Sequence, residues 1–312
     1  MPKIYAISLN PAIDYVLKFK ELKLDKTNRP YQTDMYAAGK GIHISLLLNE
    51  LEFENESIVF LNGHFADFFI QDLKANHVKY QKFSTNGEIR INLKLIDQFQ
   101  TECSVPGPEI SASEFEKLLA YLKEVIQPGD YVVASGSLPS NCPTDVYQKI
   151  GIAVKQNEGH FVVDAYGESL LQALQTKPFL IKPNLDELEQ TFKVKITTEK
   201  QLFEYAQKLI DLGAQNVLLS RGEKGGVLIN QHSIVTCGIY QWGKKLENAA
   251  GAGDSMLAGF IVKYINTSDF NEALKFSVVC GSATAYSSRI ASRELIDELN
   301  QKNHLMETKK LV

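Results

Sequence analysis

The sequence predicts an α/β protein in which helices cover a parallel β-sheet and a small second sheet, or lid, is set into the chain. Three observations carry that expectation. Short β-rich runs alternate with helix-length amphipathic segments, the pattern of a parallel sheet with covering helices. Two stretches, Asp14–Tyr36 and Glu88–Val105, interrupt the alternation with a strand-like period of two. The chain has 312 residues, 44% of them hydrophobic and 22% charged, which suffices for one large core and a single continuous unit over 1–312.

The expected strands are Ile4–Ser8, Ser57–Leu61, Tyr131–Ala134, Phe161–Asp164, Phe179–Ile181 and Asn216–Ser220. The expected helices between and after them are Gly41–Leu51, Ser113–Ile126, Thr144–Asn157, Thr198–Leu212, Ala252–Tyr264 and Phe270–Ser287. Ser113 precedes Glu116 at capping-box spacing. In the lid, Ile89, Ile91, Leu93 and Leu95 alternate and predict a strand whose apolar side is the covered one. The stretch Gln301–Val312 reads as a polar tail.

A net charge of −4 gives no broad electrostatic reason to bind nucleic acid. The four cysteines stand far apart without a C-x-x-C pair, which reads as free thiols in a reducing compartment. The N-terminal residues lack the pattern of a signal peptide and no run is long enough to cross a bilayer, so the expectation is a cytoplasmic protein without a membrane partner. The six histidines show no metal-ligand spacing with one another or with cysteine.

The strongest chemical signal is Asn248-Ala-Ala-Gly-Ala-Gly-Asp254-Ser255, directly before an apolar helical pattern. Glycines there leave amide N–H groups at a helix start, a place suited to phosphate oxygens. A carboxylate beside them can take a proton from an attacking hydroxyl while the amides hold charge on the transferred group. The alternative is a turn in which Asp254 only caps the helix. Gly39-Lys40-Gly41 opens another helix and offers an ammonium between exposed amides, or simply a helix-starting turn; it lacks the G-x-x-x-x-G-K-[ST] spacing of a phosphate-binding loop. Asn10 and Asp14 follow the first strand, at the sheet edge where ligands of open α/β sheets gather. After Lys182-Pro183, Asn184 and Glu187 have capping-box spacing, compatible with orienting water around a magnesium ion. Ser220-Arg-Gly222-Glu-Lys-Gly225-Gly226 either wraps phosphates or turns a hairpin.

Taken in order, these runs resemble the PfkB branch of the ribokinase family, over almost the whole chain. Asn10-Pro11, Asn28-Arg29, Gly39-Lys40-Gly41, Glu88 with Arg90-Ile91-Asn92, Pro106-Gly107-Pro108, Gly136-Ser137-Leu138-Pro139, Lys182-Pro183-Asn184 and Gly251-Ala252-Gly253-Asp254 all resemble that family's segments, most closely those of its phosphofructokinase members. The resemblance implies a ribokinase-like three-layer α/β/α domain with a β-sheet lid, ATP and Mg2+ as cofactors, and a homodimer paired through the lid.

By the same resemblance Asp254 is the catalytic base and Gly251, Ala252 and Gly253 form the anion hole. Lys182, Asn184, Ser220, Gly222, Gly225 and Gly253 belong to the ATP site, with Asn184 and Glu187 reaching Mg2+ through water. Asn10, Asp14, Gly39, Gly41 and Ser137 belong to the sugar site. Arg29, Lys40 and Arg90 are the expected grip on a phosphate already present on the substrate, since guanidinium and ammonium groups suit that anion. The implied reaction is phosphorylation of the C6 hydroxyl of a phosphorylated ketohexose, fructose 1-phosphate, with tagatose 6-phosphate as the rival substrate.

Four residues depart from the family pattern: Ala38, His43, Ile89 and Ala249. They motivate a contrasting expectation, a silent sensor of sugar phosphates, against which the retained Asp254 stands. A nicotinamide dehydrogenase also fits the alternation but lacks G-x-G-x-x-G after the first strand.

Overall fold

The βα alternation builds two sheets. The structure, a computed structural model, describes residues 1–311. Its first half runs β1 (Ile4–Ser8), β2 (Ala12–Lys18), β3 (Gln32–Ala38), α1 (Lys40–Glu50), β4 (Asn55–Phe60), α2 (Ala66–Ala75), β5 (Tyr80–Phe83), β6 (Arg90–Ile96), β7 (Gln100–Cys103), α3 (Ala112–Val125), β8 (Tyr131–Ser135) and α4 (Val146–Gln156). The second half adds β9 (His160–Asp164), α5 (Gly167–Leu174), β10 (Leu180–Ile181), α6 (Leu185–Phe192), α7 (Glu199–Asp211), β11 (Asn216–Ser220), β12 (Gly226–Asn230), β13 (Ser233–Cys237), α8 (Ala252–Thr267), α9 (Phe270–Ala285), α10 (Arg293–Asn300) and β14 (Thr308–Lys310).

The large sheet has the order β14-β13-β12-β11-β10-β9-β8-β1-β4-β5. It is parallel from β5 to β11 and antiparallel from β11 to β14. Successive strand residues point to opposite faces. Thus Tyr5 and Ile7 of β1 join a core with α3, α4, α5, α6 and α7, while Ile4 and Ala6 join one with α1, α8, α9 and α10. Burial on both faces explains why these strands read as continuous apolar runs. The result is the three-layer α/β/α arrangement expected. A second sheet of order β3-β2-β6-β7 stands apart, formed by the two stretches that broke the alternation.

Three expectations need correction. The first cap of α3 is Ser111, whose side chain accepts the Glu114 amide, and not Ser113; Ser113 lies within the helix, its hydroxyl 3.0 Å from that of Ser111. The polar tail folds its residues 308–310 against β13 as an edge strand, because the open edge of β13 offers backbone partners; its last residue, Val312, lies outside the described residues. The third concerns β6. Its apolar residues are not the better covered side: Leu93 and Leu95 are half-buried, whereas Asn92 and Lys94 are buried. Polar atoms turn inward there because that side of the small sheet faces a cavity.

Candidate active site

The glycine segment ahead of α8 settles one ambiguity. Gly251, not Asp254, is the helix N-cap, and no side chain caps it. Gly251 sits at φ +81°, and a Cβ there would come within 2.7 Å of Ile290 and 3.3 Å of the His43 ring, so both backbone and space call for glycine. The first turn of a helix leaves N–H groups without helical partners; here Ala252 donates to the Ala249 carbonyl at 3.2 Å, which leaves the amides of Gly253 and Asp254. Lys182 reaches the same turn, since a Cβ on Gly253 would lie 3.2 Å from its Nζ.

Asp254 is buried, and its Oδ2 lies 2.8 Å from Nδ1 of His43. Burial by itself raises a carboxyl, but the hydrogen bond from His43, its charge when the ring is protonated, and the ammonium groups of Lys40 and Lys182 hold Asp254 below the ordinary carboxylate range. Lys40 donates to Glu187 Oε1 at 2.9 Å and to Asp164 Oδ1 at 3.2 Å. Although burial works against its charge, these carboxylates and Asp254 raise the Lys40 ammonium well above its usual range. Asp164 is fully buried at the end of β9, with Lys182 Nζ at 3.5 Å; burial pushes its carboxyl up against the pull of Lys182 and Lys40.

Two cavities meet at this cluster, sharing Lys40, Glu187, Gly251 and Asp254. The wider, about 840 Å³, takes in Lys182, Asn184, Ser220, Gly222, Gly225, Ala252 and Gly253, with an apolar wall that includes Met256 and Val278. Gly225 has φ +79°, and a Cβ would fall 2.1 Å from the Cys237 carbonyl oxygen, so this loop requires glycine at the β11–β12 turn. The hairpin alternative for that segment is therefore what the backbone adopts. Asn184 and Glu187 form a complete capping box on α6.

The narrower cavity, about 390 Å³, is lined by Asn10, Asp14, Gly39, Arg90 and Ser137 among others. Asn10 donates to the Ser137 hydroxyl at 3.0 Å. Arg90 is anchored by the carbonyls of Asn10 and Val105 and the Ser104 hydroxyl. Lys94 pairs with Asp14 at 2.6 Å in a buried ion pair; burial lowers the Lys94 ammonium, but Asp14 more than restores it, leaving it raised.

Most of the residues singled out in the sequence converge here. Two do not. Arg29 lies exposed on the β2–β3 connection and lines none of these cavities. Gly41 lies beneath the cavity, where a Cβ would meet the Ser8 hydroxyl at 2.4 Å; it lets α1 pack on β1. Of the four departures, Ala38 and Ile89 are buried in apolar clusters, Ala249 lines the wide cleft and His43 touches Asp254. Sequence reasoning missed Lys94, Asn92 and Asp164. The first two were findable, because Arg90, Asn92 and Lys94 alternate on one strand face. Asp164 carried no local signal beyond ending a strand.

A magnesium ion has a partial home. Among the described residues no cluster of three His, Cys, Asp or Glu side chains could hold a metal directly. Both Glu187 oxygens already accept hydrogen bonds, from Lys40 and the Asn184 amide, yet each oxygen keeps a second lone pair. The set therefore fits contact through the ion's waters and not direct ligation.

Comparison with known proteins gives a consistent placement. The model of the pfkB family carbohydrate kinase matches residues 3–293. A 1-phosphofructokinase of Bacillus subtilis is 34% identical over 296 residues, covering 95% of this chain and 97% of its own. A D-tagatose-1-phosphate kinase of Bacillus licheniformis is 30% identical over 296 residues, with 95% and 96% covered. Among solved structures, Arabidopsis thaliana ribokinase complexed with ribose and ATP superimposes with a TM-score of 0.76 at 18% identity, over 96% of this chain and 98% of its own, which speaks for the fold.

Proposed function

The chain belongs to the pfkB family of carbohydrate kinases, and on that premise we propose that it transfers the γ-phosphoryl group of MgATP to the C6 hydroxyl of fructose 1-phosphate, giving fructose 1,6-bisphosphate. The observation that carries this reading is the seam. Two buried carboxylates, Asp254 and Glu187, border both a long cleft opened by helix-terminal amides and a compact cavity lined by polar and cationic side chains; both Glu187 oxygens are already engaged, by Lys40 and the Asn184 amide, which leaves Asp254 as the base. A phosphoryl acceptor and donor placed in these two spaces would meet at Asp254.

In this mechanism ATP lies in the wide cleft with its phosphates toward the start of α8. Amides of Gly253 and Asp254 and the Lys182 ammonium, with the Ala252 amide once it is released from Ala249, hold the charge that spreads over the transferred group. Asp254 accepts the proton of the acceptor hydroxyl as the oxygen attacks. Magnesium, when bound, neutralises charge on the phosphate chain, and Asn184 with Glu187 orients its waters. Arg90, one of the three cations first expected, faces only the sugar cavity and supplies the grip on the phosphate at C1; Lys40 stands at the seam beside Glu187 and Asp164, where its charge supports the reacting end; Asp14, Asn10 and Ser137 meet the hydroxyls. The small sheet acts as the lid that excludes water during transfer. Its half-exposed apolar side, with Leu93 and Leu95, supports pairing of two lids in a homodimer. No helix of the described residues is long and apolar enough to cross a membrane.

D-Tagatose 1-phosphate is the second acceptor to consider, because one relative bears that name at 30% identity. The reading is tested by ADP release from purified protein with MgATP and fructose 1-phosphate, D-tagatose 1-phosphate, tagatose 6-phosphate, fructose 6-phosphate or fructose in separate wells. The expected result is a kcat/KM for fructose 1-phosphate at least about ten-fold above every other sugar, a difference of about 1.4 kcal/mol. Preference for another phosphosugar moves the substrate, and silence with all five favours the sensor.

A further inference from the structure

We propose that His43 is a positioning residue for the base: as neutral imidazole it holds the Asp254 carboxylate ready for the acceptor hydroxyl, and as imidazolium it disarms that carboxylate, so His43 sets the acid limit of turnover. The proposal rests on the reading of Asp254 as base. Its ground is geometry. The ring nitrogen Nδ1 lies 2.8 Å from Asp254 Oδ2, with both side chains largely enclosed. An ionised carboxylate only accepts hydrogen bonds, so Nδ1 carries the hydrogen and donates it, leaving Oδ1 for the incoming hydroxyl. The ring is placed from both sides. His43 stands in the first turn of α1, its amide bonded to the Gly39 carbonyl at 3.0 Å, and it packs on Gly251, where any side chain would press on the imidazole.

The residue type matters as much as the place. Asparagine, the usual family residue here, could donate an N–H to the same oxygen but cannot change charge near neutral pH, whereas histidine does so between about pH 5 and 8. A full positive charge at hydrogen-bond distance lowers the proton affinity of the carboxylate, and a weaker base takes the hydroxyl proton less readily. His43 also lines a separate side cavity of about 150 Å³ together with Tyr36, Asp72 and Arg289.

Other groups face the same space. They are Glu50 and Lys40 of α1, Asp72 of α2, Asp14 of β2 and Tyr36 of β3. From the remaining elements come Arg90 and Lys94 of β6, Glu102 of β7, Glu187 of α6, and Tyr166 and Arg289 from loops. All are carboxyl, ammonium, guanidinium or phenol groups, whose ordinary ranges lie outside pH 5–8. Asp254 itself is held below the usual carboxylate range, so it stays ionised as pH falls toward 6 and cannot cause a loss of activity there.

The test is kcat against pH from 5.5 to 9, at saturating MgATP and sugar phosphate, for wild type, His43→Asn and His43→Ala. Wild-type kcat should fall as pH drops through the histidine range, approaching about ten-fold per pH unit as expected for one titrating group. His43→Asn should lose that limb, and at pH 8 it should recover most of an approximately ten-fold loss seen in His43→Ala, because an amide still donates to Oδ2. An unchanged acid limb in His43→Asn, or equal kcat in the two variants, overturns the proposal while leaving the base reading intact. Normal turnover by Asp254→Asn would instead overturn the base reading itself. Should the His43 variants not fold, the imidazole is followed by NMR in intact protein: its ring nitrogen shifts should report the Nδ1–H tautomer in wild type and lose that preference in Asp254→Ala, and no change contradicts the coupling.

Discussion

The two cavities that meet at Asp254 are built by different means. The wide cleft sets an apolar wall of Ile239, Leu246, Met256 and Val278 against a helix start and a hairpin turn whose Gly251 and Gly225 tolerate no Cβ. The narrow cavity is shaped by side chains from β1, β2, β6 and the loops after them, many of them charged and already paired with one another. In the proposed reaction the wide cleft, as donor side, thus offers an apolar face and backbone turns to a ligand that is the same in every turnover. The acceptor side is a set of charges whose spacing can select a sugar phosphate, and exchanging one of them would change the substrate without disturbing the fold.

That contrast can be broken at its hinge first. Asp254→Asn keeps the shape of the seam but removes the base; kcat should fall at least about 1,000-fold, near the upper range for general base catalysis, while ATP affinity by calorimetry stays within about three-fold. Comparable losses in both would mean that the carboxylate holds the cleft together and does not serve the reaction. A smaller effect is expected on the acceptor side alone. Lys94→Met removes the cation that pairs with Asp14, and KM for the sugar phosphate should rise about ten- to a hundred-fold with KM for ATP little changed. Because the pair is buried, its broken half is costly, and the same variant should lose about 3 kcal/mol in urea unfolding. An equal rise in both KM values would erase the distinction between the cavities. The smallest effect belongs to the donor side: Asn184→Ala opens the capping box of α6 and should lower stability by about 1 kcal/mol, raising KM for MgATP a few-fold. A variant as stable as wild type would remove the cap from the account of that wall.

The same division decides what could be read from the sequence. The donor side is contiguous, so Gly251-Ala-Gly-Asp254 and Lys182-Pro-Asn184 stood out as short motifs, and the α/β layers followed from apolar runs buried on both faces. The acceptor side is assembled from segments dozens of residues apart, and its polar residues hide in strands that look amphipathic in the usual sense. Apolar alternation in β6 pointed to Ile91, Leu93 and Leu95 as the covered side, because burial normally follows hydrophobicity. A strand that forms the wall of a polar cavity inverts that rule, as Lys94 and Asn92 show. Arg29 was expected at the site because Asn28-Arg29 resembles a family segment and a guanidinium suits phosphate; in the single chain its loop is exposed and lines neither cavity. Asp164 became visible only when the sheet brought its strand end beside Lys40 and Lys182. The tail was misread for a related reason, since residues 308–310 pair through backbone atoms that every sequence has.

The central claim is that a hydroxyl at the far end of a phosphorylated sugar meets the γ-phosphoryl group beside Asp254. Phosphorus NMR of the reaction with MgATP and fructose 1-phosphate tests it most directly, because it reports the position of the new ester. The account predicts a second monoester signal coupled to the C6 methylene protons, growing in step with ADP. Release of inorganic phosphate alone, or an ester on any other carbon, would contradict it.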